Sequence, residues 1–199
     1  EGKYCMVSVP SFGTTPIYNK VDGQGLIAPN PVVATRDSME NEDIRLEFDS
    51  CGQITSILHK KSQIQFAESL CNKFRMFKDV NIEYDAWEMS PYYEEMEVAL
   101  EETGHIEVVE ECGLFATIRI TKKLHHSTMA QDITMYTGSN RVDFKTRIDW
   151  KETHKLLKVE FPVAVRTREA YEEIQFGYVK RPTHKSTNYD EDRFEVCNH

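Results

Sequence analysis

The sequence has no excess of positive charge. Its 24 Lys and Arg stand against 33 Asp and Glu, a formal net charge of −9. A nucleic-acid binder needs a basic face to displace counterions, so that class is excluded, and the acidic surplus reads as solvated surface. No apolar run approaches the roughly 18 residues of a membrane-spanning helix, and nothing at the start has the layout of a signal peptide. Paired cysteines are missing as well. Cys5, Cys51, Cys71, Cys112 and Cys197 are widely scattered and odd in number, which reads as reduced thiols in the cytoplasm and not as a disulfide framework. There is no Gly-x-Ser-x-Gly elbow, no phosphate-binding loop, no internal repeat and no low-complexity tract.

What is present is alternation. From Arg141 to Trp150 the residues Val142, Phe144, Thr146, Ile148 and Trp150 take every second place, with Arg141, Asp143, Lys145, Arg147 and Asp149 in the places between. A helix would bring its apolar positions back every three or four residues, so this period of two predicts a strand. Ile44 to Phe48 alternates likewise, and Ser50-Cys51-Gly52-Gln53 predicts a turn into a strand at Ile54 to Leu58. Shorter runs predict strands at His105 to Val109, Phe115 to Lys123, Gln131 to Tyr136, Leu156 to Val165 and Tyr171 to Val179, and a first short strand at Cys5 to Val9. Only Glu94 to Glu102 could pass for a helix, and its apolar spacing is poor. The fold class expected is all-β, two packed antiparallel sheets, with a short β element ahead of a linker rich in Gly, Pro and Asn at Asp22 to Pro31.

Seven histidines raise the question of a metal. Zinc sites draw ligands from close pairs that one turn aims at one ion. His125 and His126 are adjacent, and on a strand they would point to opposite faces. Cys197 and His199 have no second pair of ligands. The expectation is no metal residue and no cofactor within this chain.

Two segments carry the chemistry of sugar recognition. The first is Asn81 to Tyr93, where Tyr84, Asp85, Trp87, Tyr92 and Tyr93 set aromatic rings beside carboxylates. A flat ring packs on the C–H face of a pyranose and a carboxylate accepts from its hydroxyls, although rings of this size more often fill a core. The second is Arg181 to Asp190, a run dense in hydrogen-bonding side chains that follows a strand.

At these segments the sequence resembles glycoside hydrolase family 38, the α-mannosidases, and within it the cytosolic and bacterial branch. The resemblance is carried by Glu40-Asn41-Glu42 running into Ile44 to Phe48, by Tyr84-Asp85-Ala86-Trp87, and by Asp149-Trp150-Lys151-Glu152-Thr153-His154-Lys155-Leu156-Leu157-Lys158-Val159. Glu173-Ile174-Gln175-Phe176-Gly177, Arg181-Pro182-Thr183-His184 and Arg193-Phe194-Glu195-Val196 complete it in the same order. It implies that residues 38–199 are the first part of a large sandwich like that of galactose mutarotase, truncated at His199. Residues 1–37 would close a small preceding β element and its linker.

It also implies a retaining, zinc-dependent enzyme whose metal ligands and carboxylate nucleophile lie in a β/α barrel and helical bundle outside this chain. The fragment would then be inactive alone, with no catalytic residue of its own, and would scaffold and wall the site for an α-mannoside. The residues expected near sugar are Tyr84, Asp85 and Trp87 first, then Arg181, His184 and Asp190. The partners expected are the sugar, the absent barrel and helical domains and, as an open option, a second copy of the chain. The alternative reading is an independent carbohydrate-binding β-sandwich, which would bind mannose by itself.

Overall fold

The computed structural model describes residues 4–16, 30–81, 83–84 and 89–193, with side chains described through Asp190. Its strands pair antiparallel throughout. The first sheet runs in chain order: β1 (Val33–Ala34), β2 (Ser38–Glu40), β3 (Ile44–Phe48), β4 (Ile54–His59) and β5 (Ile64–Gln65). After β6 (Lys73–Lys78) come a 3-10 turn at Pro91–Glu95 and β7 (Glu97–Val98). A meander follows, formed by β8 (His105–Glu111), β9 (Phe115–Leu124), β10 (Ser127–Tyr136) and β11 (Val142–Asp149). β12 (Lys155–Glu160) returns to pair with β6, giving a three-stranded sheet in the order β12-β6-β7. A hairpin of β13 (Glu169–Ile174) and β14 (Gly177–Pro182) and a short helix α1 (Asn188–Arg193) end the described chain.

The first sheet packs on the meander. Met39, Leu46, Phe48 and Ile54 from one side meet Ile106, Ile118, Ile120, Ile133 and Met135 from the other in one buried cluster. β10 shows why: Ser127, Met129, Gln131, Ile133 and Met135 take alternate places and all are buried. Burying such a row removes apolar area from water at about 25 cal/mol per Å². Between the apolar residues of that row sits Gln131, and its amide is satisfied. Gln131 accepts from the Asn72 amide at 2.7 Å and donates to Thr146 Oγ1 at 2.9 Å. A smaller cluster of Met76, Leu124 and Met129, with Phe74 and Leu157 against it, joins the three-stranded sheet to the far end of the β9–β10 pair.

The Asp49–Gln53 turn forms where the sequence placed it. Asp49 Oδ1 accepts from the backbone N–H groups of Cys51 and Gln53, both at 2.8 Å. Gly52 sits at φ +79°, and a Cβ there would meet Ile120 at 2.6 Å, so both backbone and space demand glycine.

Three expectations change. Residues 4–16 carry no strand, so Cys5 to Val9 is not one; Tyr4 instead rests edge-on against the Phe115 ring, centroids 4.8 Å apart. Tyr171 to Val179 is not one strand but the β13–β14 hairpin, turned at Gln175-Phe176 with Phe176 at φ +63°. Ile174, Phe176 and Tyr178 keep an apolar residue at every second place straight across the turn, and this particular run therefore reads as one strand. Leu156 to Val165 is a strand only as far as Glu160, where Pro162 follows and removes a ladder donor.

Candidate sugar-facing loops

The first candidate loop leaves the end of β6. Its base is closed twice: Asp79 N–H donates to the His154 carbonyl at 3.0 Å, and Ser90 N–H donates to Asn81 Oδ1 at 3.1 Å. Between these ties the chain projects Tyr84, which is exposed and holds φ +55°, an uncommon conformation for a bulky residue. Asp85 and Trp87 lie outside the described residues. The downstream tyrosines split in role. Tyr93 is buried edge-on against Phe77, centroids 5.1 Å apart, and belongs to the core, whereas Tyr92 is exposed.

The second candidate loop follows β14. Arg181 is buried on that strand with its Nε 3.4 Å from Glu172 Oε2 across the hairpin. His184 Nδ1 lies 2.7 Å from Ser186 Oγ. Asp190 caps α1: its Oδ2 accepts from Thr187 N–H at 3.1 Å and Thr187 Oγ1 at 2.9 Å, and Thr187 Oγ1 accepts in return from Asp190 N–H at 3.2 Å. This is the reciprocal capping box of a helix start, with Asp in the third helical place. A hollow of 210 Å³ opens between hairpin and helix, lined by Glu172, Arg181, Tyr189 and Asp190, and His184 borders a second hollow on the Arg168 side. The first is smaller than the roughly 300 Å³ at which self-sufficient ligand pockets begin.

The structure ties the two loops together. Lys185 Nζ donates to Glu94 Oε1 at 3.0 Å, and Tyr93 Oη donates to the same oxygen at 3.3 Å. Lys158 Nζ from β12 donates to Tyr93 Oη at 2.6 Å and stands 4.8 Å over its ring. Segments 91 residues apart in sequence thus meet through one carboxylate.

One cluster escaped the sequence reading. His125 and His126 are not on a strand. They are the two turn residues of the β9–β10 hairpin, between the paired Leu124 and Ser127, and His125 takes φ +57°. Their rings lie 3.8 Å apart at 80°. Glu152, almost wholly enclosed, reaches them from the segment before β12: Oε2 is 2.8 Å from His125 Nδ1, while Oε1 accepts from His126 N–H at 2.7 Å and Ser127 Oγ at 3.1 Å. Enclosure alone would push the Glu152 carboxyl up, but the donors from His125, His126 and Ser127 outweigh it and hold it down to about 2. The available signal was two long alternating runs interrupted by two residues, which marks a hairpin even without Gly or Asn.

Residues 39–199 match the family described as "Glycosyl hydrolases family 38 C-terminal domain". Over 203 residues the chain is 35% identical to alpha-mannosidase 2C1 of Homo sapiens, covering 98% of this chain and 20% of that protein. It is 30% identical over 205 residues to alpha-mannosidase G of Dictyostelium discoideum, covering 98% and 19%. The chain therefore spans about a fifth of the curated relatives it matches. Among solved structures, an alpha-mannosidase from Enterococcus faecalis shares the fold, with a TM-score of 0.62 at 19% identity over 80% of this chain and 21% of that one.

Proposed function

The chain belongs to the family of glycosyl hydrolases family 38 C-terminal domains, and from that premise we propose that it is the non-catalytic sandwich of a retaining α-mannosidase, walling a sugar site that other parts of the enzyme complete. The observation that carries this reading is the match over residues 39–199 in a chain spanning only a fifth of its relatives. The enzyme's zinc and its carboxylate nucleophile are assigned to the barrel and helical domains, and residues 1–37 to the end of a preceding β element.

Two features support the role of a wall. The described ends of the first loop are tied by Asn81 and Ser90, and Glu94 links them to Lys185 of the second, a support on which a partner domain can build a site. The hollow beside Arg181 is too small to enclose a sugar alone, as expected of a half-site. Tyr84 and Trp87 supply ring faces for the pyranose, Asp85 accepts from its hydroxyls, and Arg181, His184 and Asp190 form the second flank. A cytoplasmic location is proposed on the free state of Cys5, Cys51, Cys71 and Cys112. Among the described residues no helix is long and apolar enough to cross a membrane.

The test is hydrolysis of an aryl α-mannoside, with added zinc, by the 199-residue chain and by a polypeptide extended through the upstream domains. Activity is expected only in the longer polypeptide. Turnover by the 199-residue chain would overturn the reading, because it would place a complete site within these residues. Mannose binding by the chain alone would instead favour an independent carbohydrate-binding sandwich.

A further inference from the structure

We propose that His125, His126 and Glu152 bind a divalent transition-metal ion at the tip of the β9–β10 hairpin, a site separate from the zinc assigned to the upstream domains. The argument starts from three atoms. His125 Nδ1, His126 Nδ1 and Glu152 Oε2 are separated by 2.8, 2.9 and 4.0 Å. A point equidistant from atoms at those separations lies about 2.0 Å from each, the length of a zinc–imidazole or zinc–carboxylate bond.

Proton counting points the same way. When His125 Nδ1 carries a hydrogen toward Glu152, it has no lone pair left for His126, whose Nδ1 stands 2.9 Å off. One hydrogen then serves two acceptors. A cation at the common point satisfies all three atoms together.

The surroundings hold the donors in place. Glu152 Oε1 is engaged by His126 N–H and Ser127 Oγ, and Ser127 Oγ in turn accepts from Lys151 N–H at 2.9 Å, which fixes the carboxylate and aims Oε2 at the rings. The exposed His126 edge leaves an entry path. His126 Nδ1 and Glu152 Oε2 stand nearly opposite one another across the common point with His125 Nδ1 to the side, a tetragonal layout more than a closed tetrahedron. Water would fill the remaining positions, and imidazole with carboxylate suits Ni²⁺, Cu²⁺ and Zn²⁺.

The experiment titrates zinc chloride, and separately nickel chloride, into the metal-free 199-residue chain and into His126→Ala by calorimetry. This variant keeps the backbone N–H that Glu152 holds, so it retains the hairpin. One equivalent of metal is expected per chain, weakened at least about tenfold in His126→Ala, as for loss of a ligand or its support. A metal-dependent rise in melting temperature is expected in the native chain alone. Glu152→Gln, which keeps an acceptor for His126 N–H, is expected to weaken binding as His126→Ala does. In the longer enzyme, His126→Ala should lower the metal content by one ion per chain. No binding at millimolar metal, or equal affinity in native and variant chains, would overturn the site.

Discussion

β10 and β11 pair residue for residue from Thr128↔Asp149 to Met135↔Val142, and they alternate equally well, yet they end in different environments. The inward residues Met129, Ile133 and Met135 are at most 3% exposed. Their cross-strand neighbours Ile148 and Phe144, on the same face of the same sheet, are 37% exposed. The difference lies not in the strands but in what covers them. The core beneath the first sheet draws on β8, β9 and β10 but takes in only Val142 at the start of β11, an edge strand whose Phe144 stands edge-on to the ring of Phe161, centroids 5.5 Å apart. Period-two alternation reports which side of a strand turns from water, not how far the opposing layer extends.

Five substitutions, inside and outside the covered face, press on that contrast. The largest effect is expected from Ile133→Ala, which empties a site closed on every side and should cost about 2–5 kcal/mol in urea unfolding. Phe144→Ala removes more atoms but from a half-open edge, and a loss of about 1 kcal/mol is expected. Equal losses would mean that β11 is as well covered as β10. Next comes Gln131→Leu, which takes from the buried Asn72 amide its 2.7 Å acceptor, leaves it only the Gly52 carbonyl at 3.5 Å, and should cost about 1–3 kcal/mol.

On the outer face, Asp132 accepts from Arg119 Nε at 2.6 Å and Arg119 Nη2 at 3.0 Å, and these donors hold its carboxyl below the usual range. A carboxyl lowered by folding stabilises fully above its unfolded pKa, and that gain disappears as pH falls through the lowered value. Asp132→Asn should therefore cost at most about 1 kcal/mol at pH 7, and the cost should shrink as pH falls below the unfolded carboxyl pKa of about 3.9, as read from paired urea titrations. A cost that does not shrink in acid would assign the effect to shape and not to charge. The smallest effect on stability is expected from Tyr84→Ala, within about 0.5 kcal/mol, because the ring is exposed. In the extended enzyme the same change should lower kcat/KM at least about tenfold if the ring packs on sugar, a modest loss for a positioning contact. Unchanged kinetics would remove Tyr84 from the site.

Much of the fold was legible. β3, β4, β8, β9, β10 and β11 lie within a few residues of their alternating runs, and Ser50 to Gln53 turns as its Gly52 requires. The misplaced reversals have one cause. At Gln175-Phe176 and His125-His126 the chain turns on residues without the Gly or Asn that usually marks positive φ, and Phe176 and His125 adopt it nonetheless. In the two candidate loops the residue types could be read from the sequence, and their mutual position could not. Nothing in the spacing of Glu94 and Lys185 announces a 3.0 Å ion pair, and Tyr92 and Tyr93, neighbours in sequence, divide between solvent and core.

The sequence by itself determined the all-β class, the pairing strands, the inward rows of the core and the family, because these follow from local period and residue identity. Only the tertiary structure decided which apolar row is covered, how Glu152 meets two histidines, and how two distant loops come to share Glu94. Each of those depends on where a second layer of chain arrives, and that is set by packing across the sheets and not by any one strand's own pattern.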